Sequence, residues 1–189
     1  MDDARQAIAQ HLALAGTIEQ LLPEVERVVA AVIECYERGG RVYTFGNGGS
    51  AADSLHFAEE LVARFARERR PLAAQSLAAD PTVLTCIAND FEFDELYARQ
   101  VRAFARAGDV VIGFTTSGRS PNVVRGLAAA REAGARTVLF GGGGRETPAA
   151  EHADDALVVE SSSTARVQEM HVLLLHLVLD RVDSWAAQW

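Results

Sequence analysis

Arg41-Val-Tyr-Thr-Phe-Gly-Asn-Gly-Gly-Ser50 is where the fold becomes legible. A short β-branched and aromatic run ending at Phe45 passes directly into a glycine loop, and a segment of helical period, Ser50–Phe65, follows it. The same alternation continues downstream. Leu72–Leu77, Asp109–Phe114, Ala135–Phe140 and Ala156–Val159 are further short apolar runs. Phe93–Ala105, Asn122–Ala133 and Arg166–Val182 carry helical period between or after them. Apolar runs that alternate with helices predict an α/β fold, a five-stranded parallel sheet covered on both faces in a Rossmann-like three-layer sandwich. Upstream, Ala7–Leu22 is periodic through Ile8, Leu12, Leu14, Ile18 and Leu21. Pro23 then opens a second helix at a position where its missing N–H costs nothing, and Gly39-Gly40 stops it. These two leading helices, within residues 1–39, have no strand of their own. They are expected outside the sheet unit, at an oligomer interface. The Gly141–Gly144 run reads as a flexible turn.

The chain has 189 residues, a formal net charge of −8, 49% hydrophobic and 23% charged residues. That balance fits one soluble globular domain over 1–189, large enough to fold without a disulfide or structural metal. An acidic chain makes a poor phosphate-backbone binder, so no nucleic-acid partner is expected, although one pocket can still hold a small anion. Cys35 and Cys86 form no CxxC pair and are expected to be reduced and buried. The acidic start Met1-Asp2-Asp3-Ala4-Arg5 has no apolar core of a signal peptide, and no run approaches the roughly 18 apolar residues of a membrane span. A cytoplasmic location without membrane contact is expected.

Two loops follow strands at their C-terminal ends, where parallel sheets bind ligands. The first is Gly46-Asn47-Gly48-Gly49-Ser50, whose glycines let backbone approach a ligand beside the N–H groups opening the next helix. It also fits the loose dinucleotide pattern GxGxxA, but the acidic residue expected about 20 positions later is missing. The second is Thr115-Thr116-Ser117-Gly118-Arg119-Ser120, with Pro121 in the first turn of a helix. Four hydroxyls around one glycine, at a helix N-terminus, suit the oxygens of a phosphate monoester. The lysine of a triphosphate-binding loop is absent.

His56 and Glu60 lie four apart on one helix face, a spacing that serves a metal, a proton transfer or a simple surface hydrogen bond. Glu59 lies about 100° around the same helix. His176 interrupts an apolar helix and reads equally as a core histidine. Gln168 precedes it by eight residues, roughly 12 Å along the axis. One straight helix does not bring both to the same atom, so a shared site requires a broken helix or two subunits. His11, His152 and His171 have no motif around them and read as structural.

Phe45-Gly-Asn-Gly-Gly-Ser50, His56-Phe-Ala-Glu-Glu60, Ala88-Asn-Asp90, Thr115-Thr-Ser-Gly-Arg-Ser120, and Arg166-Val-Gln-Glu-Met-His171 with His176 together resemble the sugar isomerase (SIS) domain family. Within it they resemble the sedoheptulose-7-phosphate isomerases, over nearly the whole chain. The resemblance implies the SIS fold and a homotetramer with active sites between subunits. It implies conversion of sedoheptulose 7-phosphate to a D-glycero-D-manno-heptose 7-phosphate, the first step of nucleotide-activated heptose synthesis. Carried onto this sequence, Glu60 and His176 become the acid/base pair. Asn47, Gly48, Gly49, Ser50, Glu60, Arg64, Asn89, Asp90 and Gln168 become substrate contacts. Thr115, Thr116, Ser117 and Ser120 take the phosphate, and His56, Glu60, Gln168 and His176 become zinc ligands.

The sequence departs from that pattern at Ala165, where many of these isomerases carry an acidic residue. The text there also resembles a non-catalytic SIS branch that binds the bacterial replication initiator. That branch lacks the Glu and the late His, both of which this chain keeps. A phosphosugar-sensing regulator is a third reading, but no DNA-binding segment accompanies the domain.

Overall fold

The apolar runs pair into one parallel sheet in the computed structural model, which describes residues 2–188. Its strands are β1 (Val42–Gly46), β2 (Ala74–Ser76), β3 (Val110–Thr115), β4 (Arg136–Gly142) and β5 (Asp155–Val159), in the order β2-β1-β3-β4-β5. Val42 stands opposite Val110, Val110 opposite Arg136, and Val138 opposite Asp155. Every residue of β1 and β3 is buried, as expected for strands covered on both faces.

Among the described residues seven α-helices surround the sheet: α1 (Asp2–Ala15), α2 (Leu22–Glu37), α3 (Gly49–Val62), α4 (Pro81–Asp90), α5 (Leu96–Phe104), α6 (Pro121–Glu132) and α7 (Thr164–Ala186). Alternate strand residues feed two cores. Val42, Val110, Ile112, Phe114, Val138 and Phe140 pack with α2, α3 and α7. Tyr43, Phe45, Val111 and Leu139 pack with α5 and α6 on the opposite face. Because the connections after β1 and β3 go to opposite faces, a crevice opens between the C-terminal ends of these neighbouring strands. Both ligand-type loops lie there.

The leading helices divide differently from expectation. α1 ends at Ala15, and a 3-10 turn at Ile18–Leu21 bends the chain into α2. α2 belongs to the sandwich: Val25, Val28, Val29 and Val32 are buried on the sheet face. Each such side chain contributes about 1.5–3 kcal/mol by leaving water, which favours docking on the sheet over a position outside it. α1 lies on α7 instead. The carbonyl of Ala7 accepts from Arg166, and His11 Nδ1 is 2.7 Å from Glu169 Oε2. Its outer face leaves Ile8 and Leu12 exposed.

Further differences have local causes. Only Ala74–Ser76 of the Leu72–Leu77 run pairs, since β2 is an edge strand held by β1 alone. α4 has no periodic stripe to announce it in the sequence, because Ile87 is the one residue it buries. Asp80 caps it, accepting from the N–H groups of Thr82 and Val83. Gly141 and Gly142 extend β4 opposite Val158 and Val159, so the turn begins at Gly143. Cys35 is buried, but Cys86 is exposed on α4 beside Asp90, which corrects its expected burial. No helix among the described residues is long and apolar enough to cross a membrane.

Candidate active site

α3 and α7 lie side by side from the crevice outward, and their contacts place the ionisable groups. At one end Gly49 faces Gln168, and a Cβ at residue 49 would collide with the Gln168 carboxamide. Two turns on, the His56 and His176 rings meet edge to face with centroids 5.1 Å apart. His56 Nε2 is 3.5 Å from Glu60 Oε1, and Phe65 covers His176 with ring centroids 5.5 Å apart. A carboxylate and two imidazoles thus share a half-buried cleft between two helices. Partial burial lifts the Glu60 carboxyl above its ordinary range, assisted by Glu59 and opposed by the facing His56. Burial, with His56 alongside, lowers the His176 imidazole. Both shifts bring an acid and a base closer in proton affinity, the condition for shuttling a proton near neutral pH.

The chain beyond α3 is anchored to α7 by a buried ion pair. Arg69 and Asp183 have side chains 1% exposed, with Nε to Oδ1 at 3.0 Å. Arg69 also donates to the carbonyls of Glu60, Leu61 and Ala63, capping the C-terminus of α3. Asp183 in turn accepts from the backbone N–H groups of Ala66 and Arg67. These bonds fix the register of Glu60 against His176.

The two loops meet across the crevice. In the first, Gly48 adopts φ +56° before α3. The Asn47 carboxamide pairs with that of Asn122 at the start of α6, and the Tyr97 hydroxyl donates to the Gly46 carbonyl. In the second, Gly118 (φ +65°) closes a turn in which Thr115 Oγ1 accepts the Gly118 N–H at 3.2 Å. Ser117 Oγ accepts the Arg119 N–H at 3.2 Å. Thr115 is buried, Thr116 and Ser120 are half-buried and Ser117 is exposed, so the hydroxyls line one open turn at the N-terminus of α6. That arrangement can hold a small anion.

The remaining anticipated residues fall on both sides of this site. Ser50 is buried in the first turn of α3. Asn89 and Asp90 end α4 on the surface, with Asn89 Nδ2 donating to Asp90 Oδ1 at 2.8 Å. A cavity of about 320 Å³ lined by Asn47, Gly48, Ala88 and Phe93 separates that helix end from the first loop. Arg64 is exposed and lies past the end of α3, not one helical turn beyond Glu60. Gln168 is not gathered with His56, Glu60 and His176: α7 is continuous through both positions and holds it at Gly49.

Donor atoms of His56, Glu59 and Glu60 come within 4.8 Å of one another, so Glu59 joins the cluster. His171 is the core histidine, fully buried against Phe114 and Phe140 with Nε2 3.1 Å from the Gly141 carbonyl. Reading the sequence missed Asp53, Tyr97, Arg69 and Asn122. Asp53 is buried on the His56 face of α3, and its Oδ2 has no hydrogen-bond partner among the described residues. The i, i+3 spacing to His56 was its one visible signal.

A hydroxyl-lined turn at the switch point of a parallel sheet, with a carboxylate and two imidazoles gathered further along α3 and α7, suits an enzyme that moves protons on a phosphorylated small molecule. The model of the SIS domain family matches residues 8–142. The phosphoheptose isomerase of Paramagnetospirillum magneticum is 45% identical over 185 residues, 96% of this chain and 95% of that protein. A solved phosphoheptose isomerase from Neisseria gonorrhoeae superposes with TM-score 0.89 at 35% identity, covering 97% and 98% of the two chains. One from Francisella tularensis gives 0.92 at 29% identity, covering 97% of each. The chain belongs to the SIS domain family and, within it, to the phosphoheptose isomerases. Each of these three relatives is named a phosphoheptose isomerase.

Proposed function

We propose that this isomerase interconverts sedoheptulose 7-phosphate and D-glycero-D-manno-heptose 7-phosphate in the cytoplasm, as the entry step to nucleotide-activated heptose. The observation that carries this reading is the meeting of Glu60 with His56 and His176 in one cleft, about 16 Å along α3 from the loops, so that it meets a hydroxyl-rich turn only across subunits. Aldose–ketose isomerisation takes a proton from one carbon and returns it to its neighbour through an enediol, while a second proton moves between the oxygens. Glu60, with its raised proton affinity, takes and returns the carbon proton. His176 serves the oxygens as acid and base, since its lowered affinity lets it give up a proton readily. Thr115, Thr116, Ser117 and Ser120 hold the phosphate at the α6 N-terminus, and Asn47, Gly48 and Gly49 hold the sugar end. Ser50, Arg64, Asn89 and Asp90 complete the substrate contacts.

The two imidazoles and the carboxylate are ligands that zinc favours, and the donor atoms of His56, Glu59 and Glu60 are close enough to share one ion. His56, Glu60 and His176 would hold it, with Gln168 as the fourth ligand. Glu60 and His176 bound to zinc would be poor free bases, so the ion would be structural, regulatory or inhibitory unless it polarised a substrate oxygen as a Lewis acid in their place. Because α7 is unbroken between Gln168 and His176, those two residues serve one site only when they come from different subunits. That reading requires more than one chain, and the homotetramer with sites between subunits that the resemblance implies would supply them.

Incubating the protein with sedoheptulose 7-phosphate and following aldose formation by NMR tests this function. Turnover is expected. Comparing added zinc with a chelator then separates a catalytic ion from an incidental one, and a folded protein that binds the substrate without converting it overturns the reading.

A further inference from the structure

Asn122 lies outside every role given above, yet it is 1% exposed and bonded across the crevice. Its carboxamide pairs reciprocally with that of Asn47: each Nδ2 donates to the other's Oδ1 at 2.8 Å. The Tyr97 hydroxyl lies 3.4 Å from Asn47 Oδ1, and Tyr97 is itself fixed by stacking on Phe45 with ring centroids 4.7 Å apart. A primary amide offers two N–H donors and one oxygen with two lone pairs. On Asn47 the oxygen accepts from Asn122 and one N–H donates to it, since the single Tyr97 O–H goes to the Gly46 carbonyl. A single N–H of a half-buried side chain is left over, beside the glycines of the first loop.

We infer that Asn122 is a positioning residue for the isomerisation: it fixes the Asn47 amide so that a donor faces the sugar, and it sets the span between the sugar-binding and phosphate-binding loops. The inference rests on the substrate reading proposed above. Asn47 follows β1, whereas Asn122 opens the helix whose N-terminus borders the hydroxyl turn after β3. The pair is therefore a direct side-chain tie between the two halves of the site at the switch point of the sheet. A substrate with phosphate at one end and its reacting carbons at the other must match that span. Inorganic phosphate touches only one half.

A purely structural role predicts something else. Asn122 Oδ1 also accepts the Val123 N–H at 3.0 Å, so the residue caps that one amide in the first turn of α6, behind the N-cap Ser120. If capping were its whole contribution, its loss would loosen the hydroxyl turn and weaken every phosphate ligand equally.

The experiment compares wild type with Asn122→Ala and Asn122→Asp, measuring KM and kcat for sedoheptulose 7-phosphate, direct calorimetric binding of inorganic phosphate, and Tm. The near-isosteric Asn122→Asp keeps the Val123 acceptor but cannot donate to Asn47, and it carries the test if Asn122→Ala fails to fold. Loss of a buried amide partner is expected to lower kcat/KM by about ten- to hundred-fold, while phosphate affinity stays within about two-fold. Parallel losses for substrate and phosphate, or an unchanged kcat/KM, overturn the inference while leaving the substrate reading intact. A wild-type protein that neither binds nor converts sedoheptulose 7-phosphate removes that reading, and this inference with it.

Discussion

Glu60 occupies the position where a small chemical change separates catalysis from folding most cleanly. Glu60→Gln keeps the shape and removes the proton acceptor, so turnover should fall by about 10²–10⁴-fold with Tm unchanged. Full activity would remove Glu60 from the mechanism. His176→Asn should act likewise. If it lowers Tm while kcat survives, His176 is a core histidine, the reading its apolar neighbours first suggested. Asp53 makes a different prediction. Burial raises its carboxyl from 3.8 to about 6, against the pull of His56. A raised folded-state pKa favours the protonated acid, so the associated stability is present below pH 3.8 and is lost as pH climbs through 6. Asp53→Asn should therefore stabilise the protein above pH 6, by up to about 3 kcal/mol, and do little at pH 4. Denaturant melts at both pH values, with a chelator present, check the sign. The His56–Glu60 pair was legible because helical spacing is a local property. The solvation of Asp53 and the partner of Asn47 were not, since both depend on elements distant in sequence.

The elements that position this site gain their precision from polar fastenings as much as from apolar packing. Arg69 and Asp183 join the segment after α3 to α7 over more than a hundred residues of sequence. Removing one partner strands a buried charge, and such losses cost about 3–5 kcal/mol. Asp183→Asn should accordingly lower Tm sharply and reduce kcat, because the C-terminus of α3 carries Glu60. Arg69→Met together with Asp183→Leu should recover more stability than either change alone, since no lone charge remains. Equal additivity in that cycle would show that the pair does not hold the register. Strands and the longer helices could be read from their periodicity. α4 could not, because a surface helix burying Ile87 alone has no stripe to read, although Asp80-Pro81 is a start signal in retrospect. α2 was visible as a helix but not in its location. Four buried valines announce an apolar face without saying whether a sheet or another chain covers it.

At the scale of the assembly, the straightness of α7 decides which chains can share a site. The helix runs unbroken from Thr164 to Ala186, holding Gln168 against Gly49 and His176 against His56 within one chain. If Gln168 contributes to the chemistry at Glu60, the Gln168 concerned belongs to another subunit. α1 leaves Ile8 60% and Leu12 65% exposed, an apolar face that a second copy would cover. Ile8→Asp with Leu12→Asp should then yield a smaller species by light scattering, with activity falling alongside. A sharper test mixes two inactive variants. Glu60→Gln spoils one contributor to each site and Gln168→Ala the other, so neither assembly alone should turn over. After the two are co-refolded in equal amounts, a site is intact only where an unaltered Glu60 meets an unaltered Gln168 from a different chain. Random assembly gives that combination about a quarter of the time, so roughly a quarter of wild-type activity should return. Sites built wholly within one chain cannot be rescued by mixing, whatever the oligomeric state. A mixture as inactive as its parents would therefore place Glu60 and Gln168 in the same subunit's site and end the case for catalysis between chains.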